Sequence, residues 1–401
     1  MTISVESMKN NRHYDYVIAG GGLAGLSLAY AMVHTPVLKD KKIIIIDRQP
    51  KQQNDRTWSF WTRQSTRFDH IIYKTWKKID FFSNYLQKRF ELVHYRYATI
   101  RGIDFYREVY HKLNQCSNVH FAFGEIIDIG QREEIAYART HSDIFYGTYL
   151  FNSLFQPELY DPYQKGYHYI RQHFKGYLIH TPEPFFDSSA VTMFDFRTEQ
   201  KDGVYFFYIL PYREDCALVE YTGFSRELLD EQVYDAQLQK YIRSQLQLTD
   251  YQIKETEFAS IPMTDYPFCT RQGRIVYIGV QGGGSKPSTG YAFMRIQKQV
   301  EKIVKNLQTK GTPFYKPDFR PQFGFYDAML LNIMHREGWK VEKIFSEMFR
   351  KNPIERIFRF LDEESSIVED FLIMASVPPL PFLESIVNLL VGRKPIKRYR
   401  N

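Results

Sequence analysis

Between Asp15 and Asp47 the chain sets an apolar run, a glycine-rich turn, a helical run and a second apolar run in an order that few folds accommodate. Asp15-Tyr-Val-Ile-Ala19 reads as a strand, Gly20-Gly-Gly-Leu-Ala-Gly25 as a tight turn opening a helix to about Val33, and Lys42-Ile-Ile-Ile-Ile-Asp47 as a further strand. Four consecutive isoleucines have the β-branched continuity of a strand buried on both faces, as in a parallel sheet covered by helices. The pattern is a βαβ unit of the Rossmann type. In such a unit Gly20 permits the turn, Gly22 lets the backbone approach a pyrophosphate, and Gly25 lets helix and strand pack closely. The helix N-terminus, Gly22 through Leu23 and Ala24, turns unpaired N–H groups and a positive dipole toward phosphates. Asp47, ending the second strand, is placed to accept hydrogen bonds from adenosine ribose hydroxyls. An ADP moiety is the expected ligand, and this fingerprint serves FAD and NAD equally.

A second segment repeats the logic of strand, glycine turn and helix. Arg274-Ile-Val-Tyr-Ile-Gly279 runs into Gln281-Gly-Gly-Gly-Ser285 and Pro287-Ser-Thr-Gly-Tyr291, after which Ala292 to Leu307 has a helical pattern. It is similar to the late segment of glutathione-reductase-type flavoproteins, where a glycine and a Pro-x-x-Gly stretch bring backbone N–H groups to the isoalloxazine. By that resemblance Gly279, Thr289 and Gly290 join the site, and FAD is the ligand. Val280 stands where flavin hydroxylases carry an aspartate after the glycine. Between about Tyr163 and Ser225 lie alternating aromatic segments such as Val204-Tyr-Phe-Phe-Tyr-Ile-Leu210, with Asp202-Gly203 as a hairpin-turn signal, so an antiparallel sheet is expected there. From Asp327 onward the pattern is helical, with Ile344, Phe345, Met348 and Phe349 spaced by threes and fours.

A chain of 401 residues can bury more than one core. The expected architecture is α/β: a discontinuous Rossmann-type nucleotide domain over 12–160 and 255–325, a β-rich substrate region over 161–254, and a helical region with a basic tail over 326–401. Aromatics reach 16%, enough for a large aromatic-lined interior. The formal charge of +7 does not by itself choose a partner, but its placement points away from nucleic acid. Arg393, Lys394, Lys397, Arg398 and Arg400 follow the apolar stretch Ser385 to Val391, a combination suited to an anionic bilayer surface or to a solvated terminus behind a packed helix. No uncharged apolar run reaches the roughly 18 residues of a membrane span, and Phe371 to Leu383 is broken by Pro378, Pro379 and Pro381. The first twelve residues lack the apolar core of a signal peptide, so a cytoplasmic chain associated peripherally with a membrane is expected. Cys116, Cys216 and Cys269 have neither the pairing of a disulfide framework nor the spacing of a zinc site.

Several blocks carry a family resemblance in chain order. Gly20 to Gly25, Asp55-Arg-Thr-Trp-Ser-Phe-Trp61, Phe194-Asp-Phe-Arg-Thr198, Leu218-Val-Glu-Tyr-Thr222, Ser288-Thr-Gly-Tyr-Ala292, Arg350-Lys-Asn-Pro353 and Phe358-Arg-Phe-Leu-Asp-Glu363 together resemble the flavin-dependent bacterial lycopene cyclases. The resemblance implies conversion of the acyclic end groups of lycopene, or a related carotenoid, to β-ionone rings without net redox change. It also implies bound reduced FAD, kept reduced by NAD(P)H. Such a reaction needs an acid, a dry pocket that shields a carbocation, and a base. Glu220 is the expected acid, because alternation puts Cys216 and Leu218 on its own face, where low dielectric would keep the carboxyl protonated. Many relatives have a second acid beside it, where Tyr221 stands here, so the base is open. Arg56 could offset phosphate or flavin charge, Trp58 and Trp61 could wall the cavity, and Asp195 with Arg197 reads first as a structural ion pair.

Overall fold

The computed structural model describes residues 13–157, 166–317 and 320–392. The basic segment Arg393 to Arg400 and the expected boundary at 160/161 lie outside the described residues.

The isoleucine run forms Ile43–Asp47, next to His13–Ala19 in a sheet whose parallel core orders Ile275–Tyr277, Ile144–Asn152, His13–Ala19, Ile43–Asp47 and Val119–Phe123. This is a Rossmann-type sheet, and both its faces are covered. One face packs on the helices Leu23–Val33, Gly102–Asn114 and Phe293–Lys310, the other beneath the antiparallel strands Ile126–Arg132 and Ile135–Thr140. The helix Leu23–Val33 is buried from Leu23 through Met32 and has no polar stripe, as its sequence of small and apolar residues dictates.

The second layer is a seven-stranded sheet in the order Gln252–Thr264, Tyr169–His180, Cys216–Ser225, Val204–Arg213, Ala190–Asp195, Lys78–Phe82 and Gln87–Glu91. It differs from the expected division in two places. The boundary at 254/255 falls within Gln252–Thr264, which pairs along Tyr169–His180, and two strands from the N-terminal third complete the opposite edge. Both departures have one cause: pairing partners are chosen by register and burial across the fold, and charged strands such as Gln252–Thr264 carry little apolar signal of their own.

Every residue from Val204 to Tyr212 is buried because this sheet too is covered twice. Pro321–Glu337, Val341–Lys351 and Ile354–Leu361 close one face, where Ile344, Phe345, Met348 and Phe349 are all buried, and Glu231–Ser244 closes the other. A three-stranded sheet of Thr57–Thr62, Arg96–Arg101 and Lys74–Trp76 bridges the layers. The last helices, Ile367–Ser376 and Pro379–Gly392, leave Ile367, Val368, Phe371, Leu380, Leu383, Val387, Leu390 and Val391 exposed. No single described helix is long and apolar enough to cross a membrane; Ile367–Ser376 and Pro379–Val391 reach that length and composition only together, across a bend of 110°.

Candidate active site

The two glycine turns pack against each other. Gly20 has φ of 103° and donates its N–H to the Ile46 carbonyl at 2.8 Å, which ties the turn to the second strand. A Cβ at Gly25 would lie 2.1 Å from the Gly20 carbonyl oxygen and 2.8 Å from Ile18 Cγ2, whereas one at Gly22 would meet nothing within 4 Å. Gly22 thus borders open space at the mouth of the helix. No side chain caps that helix and no acid sits in its first turn, so the backbone around Leu23 and Ala24 keeps donors to offer. Asp47 accepts from the Gly21 N–H at 3.0 Å and from Arg48 N–H at 2.6 Å. Gly279, with φ of 63°, would place a Cβ 2.8 Å from Ala24 Cβ, and Gln299 holds its N–H at 2.7 Å.

Gly290 extends the second turn onto the large sheet. Its φ is 73°, and a Cβ there would fall 1.8 Å from Gln172 Oε1. Gln172 Oε1 and Thr289 Oγ1 are both buried without a partner, a pair of orphaned polar atoms beside a backbone cradle, which suits a polar ring system such as a flavin. The segment is anchored from beneath: Lys286 Nζ lies 2.8 and 2.9 Å from the Asp327 oxygens and 3.0 Å from Glu363 Oε1, all three side chains being largely buried.

Glu220 lies on Cys216–Ser225 with its side chain on the same face as Cys216 and Leu218, in the core facing the C-terminal helices. Tyr221 points the other way, stacked on Tyr205 toward Glu231–Ser244. Alternation therefore removes Tyr221 from the site, and the second carboxyl comes from elsewhere. Antiparallel register sets Glu220 opposite Gly176, and Gly176 opposite Glu257 on the next strand, with Tyr208 opposite Glu220 on the other side. Directly paired residues share a face, so Tyr208, Glu220, Gly176 and Glu257 form one row, and the missing side chain at Gly176 leaves room for the carboxyls to meet.

Glu220 Oε1 accepts from Thr222 Oγ1 at 2.7 Å, and Glu257 Oε2 from Thr57 Oγ1 at 2.8 Å. Apart from the Glu220 carboxyl, Glu257 Oε1 is buried without a partner. Burial first, then the neighbouring Glu257 charge, pushes Glu220 well above the usual carboxylate range. Burial also raises Glu257, while its hydrogen bonds with Thr57 and Glu220 and the charge of Arg56 pull it down. The net direction is upward for both carboxyls, so burial favours a proton held on the pair. Arg56 pairs with Asp55 at 3.1 Å and lies at the Glu257 end of the row.

Aromatic hydroxyls close the other end. Tyr208 and Tyr291 hydroxyls lie 3.3 Å apart, Tyr97 carries a buried hydroxyl beside them, and burial raises all three well above the ordinary tyrosine value. Trp61 stacks on Phe358 at 4.6 Å, meets Tyr291 edge-on at 4.4 Å, and donates Nε1–H to Asp362 at 2.9 Å. Two clefts flank the row: one includes Thr57, Tyr212, Leu218, Glu255 and Glu257, the other Phe60, Trp61, Tyr291, Phe293 and Asp362. Trp58 lies among Phe105, Tyr106 and Phe293. Asp195 and Arg197 form their ion pair at 2.6 Å with Tyr241 also donating to Asp195 at 2.6 Å, on the strand edge-ward of Tyr208. Sequence reasoning had no route to Glu257: its only signal is the spacing of Glu255 and Glu257, which alternate onto one face of a strand.

Among solved structures, the chain resembles a flavoprotein/dehydrogenase from Cytophaga hutchinsonii at TM-score 0.63 and 12% identity, covering 95% of this chain and 100% of that one. A geranylgeranyl bacteriochlorophyll reductase-like protein from Thermoplasma acidophilum matches at 0.59 and 11%, covering 94% and 99%. A variant of HpxO from Klebsiella pneumoniae, solved in complex with FAD, matches at 0.55 and 13%, covering 92% and 100%. At these identities the likeness is one of fold. The mitochondrial ubiquinone biosynthesis monooxygenase COQ6 of Drosophila melanogaster is 26% identical over 84 residues, 21% of this chain and only 18% of that protein's length. The family model described as "Lycopene cyclase protein" matches residues 15–387, through both glycine turns and the Glu220 strand, and the chain belongs to that family of enzymes.

Proposed function

We propose that this chain is a lycopene β-cyclase, an isomerase that converts the acyclic end groups of lycopene to β-ionone rings with Glu220 as the proton donor. The observation that carries this reading is a carboxyl buried in an aromatic interior beside the second glycine turn, where burial favours its protonated form. A neutral carboxyl in a water-poor site can give its proton to a carbon–carbon double bond, and the same dryness keeps water from quenching the cation. The faces of Tyr208, Tyr291 and Trp61 offer a negative quadrupole to that cation. Reduced FAD, maintained by NAD(P)H and held by Gly20, Gly22, Leu23, Ala24, Gly25, Asp47, Gly279, Thr289 and Gly290 with Arg56 as a counter-charge, would supply an electron-rich surface to it. The open space at Gly22 and the orphaned Thr289 and Gln172 atoms fit that group.

Expression in a lycopene-accumulating host tests the reading. The parent should yield γ- or β-carotene, and Glu220→Gln should lose at least roughly a hundredfold in ring formation while keeping its flavin. Unchanged cyclisation by the variant would remove Glu220 from this role. The fold shared with the geranylgeranyl reductase-like protein keeps an isoprenoid oxidoreductase or monooxygenase as the alternative, and NAD(P)H consumed in proportion to product would select it.

The substrate class also suggests where the protein works. The exposed apolar residues of Ile367–Ser376 and Pro379–Gly392, followed in sequence by Arg393 to Arg400, suit peripheral attachment to an anionic bilayer on the cytoplasmic side. Flotation with anionic vesicles should carry the protein upward, and failure to float at low salt would count against attachment.

A further inference from the structure

The cyclase reading leaves the base unassigned, and this inference rests on that reading. We propose that Glu220 and Glu257, meeting over Gly176, form a one-proton carboxyl pair in which Glu257 takes the ring proton and returns it to Glu220. Three strands supply the pair: Cys216–Ser225 brings Glu220, Gln252–Thr264 brings Glu257, and Tyr169–His180 runs between them with glycine at the one position where a side chain would intrude. A Cβ on Gly176 would sit 3.1 Å from Glu257 Cγ and 3.0 Å from Leu218 Cδ1. Thr57 holds one Glu257 oxygen, the other accepts no hydrogen bond from any donor, and the Glu220 and Glu257 carboxyls lie within hydrogen-bonding reach of each other.

The proton and electron count closes without an outside reagent. The Glu220 O–H bond breaks as the π pair of the terminal double bond forms a new C–H bond, leaving a tertiary carbocation and a Glu220 carboxylate. The π pair of the nearby double bond then forms the ring C–C bond and moves the positive charge into the ring. Glu257, as carboxylate, removes a proton from the adjacent ring carbon, and that C–H pair becomes the ring double bond. Glu257 is now neutral and Glu220 ionised, so one transfer across the pair restores the starting state. Two carboxyls this close hold one proton more readily than none or two. That is the state the cycle needs, because the same pair must offer an acid and a base at once.

The groups facing the pair are the Tyr97, Tyr208 and Tyr291 hydroxyls at the Glu220 end, and Arg56, Asp55 and Tyr212 at the Glu257 end. The tyrosines are held neutral by burial, so the carboxyls dominate the pH response over the working range. The parent should give a bell-shaped pH profile of ring formation, falling when the pair gains a second proton and when it loses its last. Glu257→Gln keeps the side-chain volume and an oxygen for Thr57. It should lower kcat roughly a hundredfold, leave KM nearly unchanged, and abolish the acidic limb. Gly176→Ala should lower kcat less by spreading the carboxyls. Infrared spectra of the flavin-loaded protein supply a readout independent of turnover: a buried protonated-carboxyl band retained in Glu257→Gln and lost in Glu220→Gln. Parental kcat and both limbs in a folded Glu257→Gln, or a band that follows Glu257 instead, would overturn the pair while leaving the cyclase reading standing. A parent that forms no ring would end both.

Discussion

Gly25 and Gly176 both stand where a side chain would collide, but the neighbours differ in kind. At Gly25 the obstacle is backbone, the Gly20 carbonyl oxygen 2.1 Å from an added Cβ, with Ile18 behind it at 2.8 Å. At Gly176 the obstacles are side-chain carbons of Leu218 and Glu257 at 3.0 and 3.1 Å, and both belong to other strands. The first glycine is a condition of the fold, since helix and strand cannot approach without it. The second is a condition of the candidate site, since its strand would form with alanine and the side chains of Leu218 and Glu257 would have to give way.

The largest stability effect should therefore fall at the nucleotide end. Gly25→Ala sets a Cβ against a backbone oxygen that has nowhere to go, and overpacking of that kind costs about 1–3 kcal/mol or more. Its urea midpoint should drop well below that of Gly176→Ala, and a reversal of that order would break the comparison. The carboxyl end shows itself through pH instead. Glu220 is raised above its ordinary 4.5 by burial, so the folded state binds a proton that the unfolded chain gives up, and stability falls as pH rises from 4.5 through the folded value. One such proton gives at most about 1.4 kcal/mol per pH unit. Asp362, pushed up to about 6 by burial, acts with the same sign but finishes there. His173 and His335, pushed down to about 4 by burial, act with the opposite sign and only below their ordinary 6.5. Above the ordinary histidine value of 6.5 the histidines no longer contribute, and there Glu220→Gln should flatten the fall of the denaturation midpoint with pH, leaving the smaller same-sign share of Glu342 and Cys216; an equal slope in the variant would place the titrating group elsewhere.

The same contrast explains what could be read from the sequence. The βαβ unit is contiguous, and each of its glycines, its isoleucine run and Asp47 answers to a local rule, so strand order and turn follow from neighbours in the chain. Glu220 was legible for a related reason: Cys216, Leu218 and Glu220 alternate on one strand, which fixes the face on which the carboxyl sits. Glu257 was not, because its place depends on the register of three strands whose pairing is decided by the whole sheet. Nothing within Gln252-Ile-Lys-Glu-Thr-Glu257 marks it as buried; Gly176, alone in a long strand, marks a close approach without naming what approaches. The strand that crosses 254/255 has the same character, since its place in the large sheet shows only through its pairing with Tyr169–His180.

Gly22 should give the smallest effect on stability and so the sharpest separation of fold from site. Its φ is −89°, an ordinary value for alanine, and an added Cβ would meet nothing within 4 Å. A substitution at this half-buried position that meets no neighbour and strains no backbone should stay within about 0.5 kcal/mol. Yet the space beside Gly22 is the approach to the uncapped helix N-terminus, where a pyrophosphate would need the backbone bare. Gly22→Ala should therefore keep the parental urea midpoint of the cofactor-free protein while weakening FAD retention, measured by flavin fluorescence after dilution. Loss of stability without loss of flavin would make the glycine a folding residue like Gly25, and the open space beside it would then need a different occupant.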